Sequence, residues 1–235
     1  VERVRFGDPG FAQAKRLEYE IFGLANNFTS ATDDAAGEMT TYRPWERTSE
    51  FHVAYPRGAG ERPIGIARYL RHDPALGMDS FSTLRDFRQY RVDGGPPQNH
   101  LFAEWDTFFQ SVDPRHVAEL ATQAVLPGYR GGGVIERVWW NFISASRPEG
   151  VRIWTMALVL PLFRWYRSLL PEAVVAIGQM IPDYVGADSV PAMLRLDHPT
   201  FVDVLTRYAA RPGALFDVSF AASPVAAGIE LERTL

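Results

Sequence analysis

An α+β fold is the expectation for this chain, and it rests on three features. Helical stripes alternate with strand-like runs, a hairpin precedes a longer strand, and a glycine-rich turn joins that strand to a helix. The composition is that of a globular chain, since 46% of the 235 residues are hydrophobic and 22% charged, which excludes disordered and fibrous classes. The length suits one domain of generous size, taken as residues 1–211, followed by an extension over 212–235 to which the sequence assigns no role.

Residues 11–25 read as a helix, because Phe11, Ala14, Leu17, Ile21 and Ala25 fall on one face. Asp8 is its expected cap and Pro9 its first turn. Over 26–49 the pattern dissolves among polar residues. A connection that long is functional or mobile, and with Tyr42 and Trp45 as apolar anchors it is a candidate lid. Residues 50–55 and 63–70 are the strands of a hairpin across the turn 56–62. Residues 73–93 are mixed with a short helix, and the Gly-Gly-Pro-Pro at 94–97 breaks the chain.

The next strand is 116–125. A glycine-rich turn at 126–133 leads from it to a helix over Val134–Ser146, where Val134, Ile135, Val138, Trp139, Phe142 and Ile143 form a stripe. Residues 151–160 are nearly all apolar, as in a buried central strand. Pro161 opens a short helix through Leu170. Residues 173–180 and 193–196 read as strands, and 200–210 as a helix.

Several function classes drop out. The net charge is −4 with no cluster of basic residues, so neither a nucleic-acid tract nor a polybasic membrane patch is expected. The longest apolar run, 154–163, is far shorter than the ~20 residues of a membrane span. The chain opens on Arg3, Arg5 and Asp8 rather than on an apolar leader, and a cytoplasmic protein is the expectation. The absence of cysteine excludes disulfides, thiolate metal centres and a thiol nucleophile. The histidines at 52, 72, 100, 116 and 198 show no metal-ligand spacing, so no metal is expected. Lys15 is the single lysine, and no glycine run is followed by Lys-Ser or Lys-Thr, which excludes a phosphate loop of the NTPase kind.

Arg130-Gly131-Gly132-Gly133 lies where a strand ends and a helix begins. Glycines there let backbone N–H groups meet a ligand without Cβ interference, and the helix start adds positive potential, so an anion such as a pyrophosphate suits the turn. A plain flexible turn is the other reading of the same glycines. A dinucleotide fingerprint would place an acid ~20 residues on, whereas the strand after the helix offers Leu158, Leu160 and Pro161.

Residues 125–135, Val-Leu-Pro-Gly-Tyr-Arg-Gly-Gly-Gly-Val-Ile, resemble the acyl-donor-binding segment of the GNAT acyltransferase superfamily. Arg130 and Gly133 match its Arg/Gln-x-x-Gly-x-Gly/Ala pattern, while Ile135 stands where Gly or Ala is usual. Residues 16–22, 51–55, 63–70, 119–125, 165–169 and 177–186 are similar to segments of the autoinducer-synthase-like branch. That branch includes acyl-homoserine-lactone synthases and long-chain N-acyl amino acid synthases. Thr122 occupies the place of an arginine expected three residues after Glu119, a departure that counts against homoserine-lactone synthesis and against a Glu–Arg pair there. The resemblance covers roughly residues 11–196. It implies a GNAT-like mixed, mostly antiparallel central sheet flanked by helices.

It further implies an N-acyltransferase in which the amine of a small molecule or amino acid attacks an acyl thioester directly. No cofactor would be bound, and the donor and partner would be acyl-CoA or an acyl carrier protein. Val125, Tyr129, Arg130, Gly131, Gly132, Gly133 and Val134 would hold the donor. Glu119 is the candidate general base, since burial in an apolar strand raises a carboxyl pKa; a solvent-facing glutamate is the alternative. Tyr166, on the helix after the central strand, is the candidate acid for the departing thiolate, against a plain core role. Arg16 and Arg68 are candidates to clamp an acceptor carboxylate, with Trp105 on the acceptor side, against the alternative of solvated surface. The aromatics around the central strand, Trp154 and Phe163 among them, are core packing or in part an acyl tunnel between strand and helix. A short-chain acetyltransferase and a catalytically silent thioester- or partner-binding domain are the competing functions.

Overall fold

Among the described residues, eight strands form one sheet, and helices close both of its faces. The computed structural model describes residues 1–24, 28–56 and 63–209, so the extension at 212–235 lies outside the described residues. The strands are β1 (Glu2–Arg5), β2 (Ser49–Ala54), β3 (Gly65–Leu70), β4 (Val117–Val125), β5 (Ile153–Val159), β6 (Val174–Ala176), β7 (Ile181–Tyr184) and β8 (Ala187–Arg195). Their order is β1-β2-β3-β4-β5-β8-β6, with β7 also paired to β8. All pairs are antiparallel except β4 with β5. A parallel pair needs a crossover, and the glycine turn with its following helix supplies it.

The helices are α1 (Phe11–Glu18), α2 (Ala31–Ala36), α3 (Ser82–Gln89), α4 (Ala103–Ser111), α5 (Val134–Ser146), α6 (Leu160–Leu169) and α7 (Pro199–Ala209). α1 runs on as a π-helical segment, Tyr19–Leu24. Strand alternation decides which side chains meet which helices. Tyr69, Leu120 and Trp154 pack with Phe142 of α5, Tyr166 of α6 and Phe201 of α7. On the opposite face Val117 and Ile153 meet Leu84 and Phe87 of α3 and Phe109 of α4. Phe51 and Ile66 on that face meet Phe11 and Leu17 of α1.

Several elements differ from expectation, the unexpected β7 and α2 among them. Asp8 does not cap α1: Gly10 is the N-cap, and the Asp8 carboxylate accepts from the Arg5 N–H at 2.7 Å, closing the turn out of β1. β1 itself was not expected; it joins the edge of the sheet by pairing with β2. α4 was missed although Trp105, Phe108, Phe109 and Val112 recur at helical spacing. β8 is longer than the residues 193–196 expected, because it passes through Pro191, a residue that usually signals a break.

Over its described residues, 28–49, the polar connection is folded. Ser30 and Asp33 form a capping box on α2, and Thr40–Thr48 is a 3₁₀ segment. Trp45 anchors that segment as expected, buried and donating its indole N–H to the Asp79 carbonyl at 2.9 Å.

One irregularity positions the site. β4 and β5 pair only where Val117, Ala118 and Glu119 face Ile153, Trp154 and Thr155. Beyond that, β4 stays with β3 and β5 stays with β8, and the two part. Tyr69 opposes Leu120 but Arg68 opposes Thr122, so Ala121 is a bulge residue that bends β4 at the start of the split.

Candidate active site

The parting of β4 and β5 opens a cavity of about 520 Å³. Residues 119–123 of β4 form one wall, and residues 157–159 of β5 with Pro161, Leu162 and Trp165 of α6 form the other. Phe22, Phe28, Met39, Thr41 and Tyr42 close it from the N-terminal segment. Ser82 and Thr83 of α3, Tyr184 and Val185 of the β7–β8 hairpin, and Ser189 of β8 complete the lining, which is mainly apolar.

Glu119 stands on this wall, buried rather than solvent-facing. Its carboxylate accepts from the Ser82 hydroxyl, from the Thr83 hydroxyl at 3.1 Å and from the Thr83 N–H at 3.0 Å. Burial outweighs these three donors and, with Asp86 acting in the same direction, pushes the carboxyl up to about 7. Glu119 is therefore divided between its acid and base forms near neutral pH.

Gln123 lies four residues along the same strand, and its amide oxygen accepts from the Trp139 indole N–H at 2.9 Å. Its amide nitrogen donates to the Tyr166 hydroxyl at 2.9 Å. Burial holds that hydroxyl protonated, well above the usual tyrosine range. Tyr166 does not line the cavity; Gln123 stands between it and the open space.

Behind the wall runs a buried network that spacing did not reveal. Arg68 pairs with Glu18 at 2.5 Å, and Glu18 also accepts from the Thr122 hydroxyl. The guanidinium lies between the rings of Tyr42 and Phe51, 4.7 and 4.6 Å from their centroids. A Glu–Arg pair thus exists, but it joins α1 to β3, and Thr122 reaches it through a hydroxyl where an arginine had been expected. Glu18 was legible in principle, since it sits among Ala14, Leu17 and Ile21 on the apolar face of its helix. Ser82, Thr83 and Tyr184 carried no such signal.

Arg16 is exposed on α1, and Trp105 packs on α4 with the cluster around Phe109; neither lines the cavity. Trp154 and Phe163 are buried in the core under α5, α6 and α7, so the space behind β5 on that side is filled.

The glycine turn follows β4. Pro127–Tyr129 makes a 3₁₀ turn, and the Arg130 side chain donates to the Val125 carbonyl at 3.2 Å. Tyr129 is exposed. Gly131 and Gly133 have φ of +77° and +76°, and Gly133 is the N-cap of α5 with no side-chain cap bond. A Cβ on either would meet nothing within 4 Å, so the backbone conformation, not space, calls for glycine, and the approach to the helix start at Val134 is open. From Val125 back to Glu119 is six residues of strand, roughly 20 Å.

Among the described residues no group of three His, Asp or Glu side chains is placed to hold a metal, and no helix is long and apolar enough to cross a membrane.

No family profile matches the chain, and no curated protein matches it in sequence. Solved structures do resemble it. BjaI, a CoA-dependent acyl-homoserine lactone synthase solved with SAM and isopentyl-CoA, superposes with a TM-score of 0.56 at 16% identity, over 90% of this chain and 90% of that one. MesI, another CoA-dependent acyl-homoserine lactone synthase, gives 0.56 at 14% identity over 90% and 96%. A Lactobacillus plantarum protein assigned as an N-acetyltransferase gives 0.50 at 15% identity over 83% and 97%. At such identities the likeness establishes the fold, and the fold is the mixed, mostly antiparallel GNAT architecture that the sequence resembled.

Proposed function

We propose that this chain is an N-acyltransferase that moves an acyl group from acyl-CoA to the amine of a small molecule inside the β4–β5 split. The observation that carries this reading is Glu119, a carboxyl raised to about 7 on the wall of an apolar cavity, one strand length from an uncapped helix start. The donor's pyrophosphate would sit on the turn from Tyr129 to Val134, where uncapped N–H groups and the helix dipole favour an anion. Its pantetheine would run along β4 towards the bulge.

An amine arrives as an ammonium and attacks only after losing a proton. Glu119 in its base form takes that proton; the nitrogen then bonds to the thioester carbonyl carbon, the carbon–sulfur bond breaks, and the second proton that the now cationic nitrogen sheds balances the one the thiolate takes up. The products are an amide and free CoA. Backbone N–H groups at the Ala121 bulge are the proposed donors to the oxyanion. Tyr166 is the proposed relay to the thiolate: because burial disfavours its anion, it gives up its hydroxyl proton only as it takes on the second proton of the nitrogen. It delivers that proton only when the Gln123 amide turns aside. Tyr166→Phe is then expected to lower kcat with KM for acyl-CoA little changed. A loss of melting temperature with kcat intact returns Tyr166 to the core.

CoA is favoured over a carrier protein as donor by the likeness to two synthases described as CoA-dependent. The filled space behind β5 favours a second reading, a short-chain acetyltransferase. A thermal-shift titration with CoA and with acetyl-, octanoyl- and palmitoyl-CoA separates the two, because a ligand of the folded state raises Tm by mass action. Shifts that grow with chain length support an acyl pocket in the split, and equal shifts support the short-chain enzyme. No shift with any of them overturns the CoA-dependent reading.

A further inference from the structure

We infer that the acceptor is a primary amine with an apolar body and no carboxylate beside the nitrogen, which excludes free amino acids. The inference rests on the acyltransferase reading above and narrows its substrate class. Among the described residues, Glu119 is the one carboxylate that lines the cavity, and no arginine, lysine or histidine lines it. A carboxylate taken out of water needs a cation or several strong donors to offset its desolvation. Here it would also stand beside Glu119, which repels it.

The neighbouring cations are engaged elsewhere. Arg68 lies behind Tyr42 and Thr122, where it is paired with Glu18. Arg85 lies 4.0 Å over the Trp45 ring and pairs with Asp86 at 2.7 Å. Arg71 takes Glu149 at 2.7 Å. Arg16 is exposed and away from the lining.

What the cavity does offer matches an amine. The Glu119 carboxylate meets the ammonium and receives its proton, and Phe22, Phe28, Met39 and Trp165 offer contact to an apolar body. An amino acid whose carboxylate is blocked as an amide keeps the same nitrogen without the misplaced charge, so it belongs to the accepted class.

The test uses the full chain with CoA bound, at pH 8, and measures binding of phenethylamine, phenylalaninamide and phenylalanine by calorimetry. Phenethylamine and phenylalaninamide are expected to bind about tenfold or more tightly than phenylalanine. Thr41→Arg, which sets a guanidinium at the cavity rim, is expected to narrow that ratio by strengthening phenylalanine. Equal or tighter binding of phenylalanine to the unaltered protein overturns the inference, as does binding of none of the three while CoA still binds. Failure of CoA itself to bind overturns the acyltransferase reading instead, so the two failures are distinct.

Discussion

At the scale of single residues, Glu119 ties stability to function through one proton. Its pKa is raised from an ordinary value of 4.5 to about 7 by burial, so the folded state holds the proton more tightly than the unfolded state does. The resulting stabilisation is fully present below about 4.5 and is lost as pH rises through about 7. Activity runs the other way, because the base form is needed and accumulates above about 7. Glu119→Gln is expected to lose about 10²–10⁴-fold in kcat and to keep its affinity for CoA. In melting curves at pH 5 and pH 8, the wild type is expected to lose the advantage it holds over this variant at the lower pH. Normal turnover in the variant rejects the base assignment. The Glu18–Arg68 pair makes a different prediction. Removing Arg68 leaves a fully buried carboxylate unpaired, and Arg68→Ala is expected to be destabilised by about 3–5 kcal/mol in chemical denaturation. Replacing both partners with apolar residues is expected to be milder than this single change.

At the scale of elements, the start of α5 is held against β3 by a missing side chain. A Cβ on Gly65 would lie 2.7 Å from Val134 Cγ1, so Gly65→Ala pushes the first turn of α5 outward. The variant is expected to be destabilised by roughly 1–3 kcal/mol and to bind CoA more weakly, because the displaced turn carries the proposed anion site. Val134→Ala removes the obstructing methyl and is expected to restore both properties in the double variant, a coupling that a double-mutant cycle measures. Additive losses refute the contact as the cause. The same turn explains why its glycines were informative before any fold was known: positive φ at Gly131 and Gly133 is a local requirement, written in residue type.

At the scale of the whole molecule, the sheet is two half-sheets joined along three parallel positions and held by helices on both faces. The open space lies in the split, whereas the core beneath α5, α6 and α7 is filled by Trp154 among Tyr69, Phe142 and Phe201. Trp154→Ala is therefore expected to cost about 3–5 kcal/mol of stability while leaving acyl-chain preference unchanged. A shift in preferred chain length places the acyl group behind β5 instead.

The helices α1, α5, α6 and α7, the hairpin of β2 and β3, and the long strands β4 and β5 were legible because period, turn residues and apolar runs are local properties of the chain. So was the burial of Glu119, an acid in an apolar run. The rest arises from contacts distant in sequence. Glu119 gains its donors from residues 36 and 37 positions earlier, and Glu18 meets Thr122 across 104. Arg16, Arg68 and Trp105 had equal standing as acceptor contacts until packing put the first in solvent, the second in an ion pair and the third behind another core cluster. Residue type and spacing determined the fold class, the glycine turn and the candidate base. Where the sheet splits, and which charges face the space it opens, was decided only in three dimensions, because strand pairing and burial act between segments whose separation along the chain carries no record of their contact.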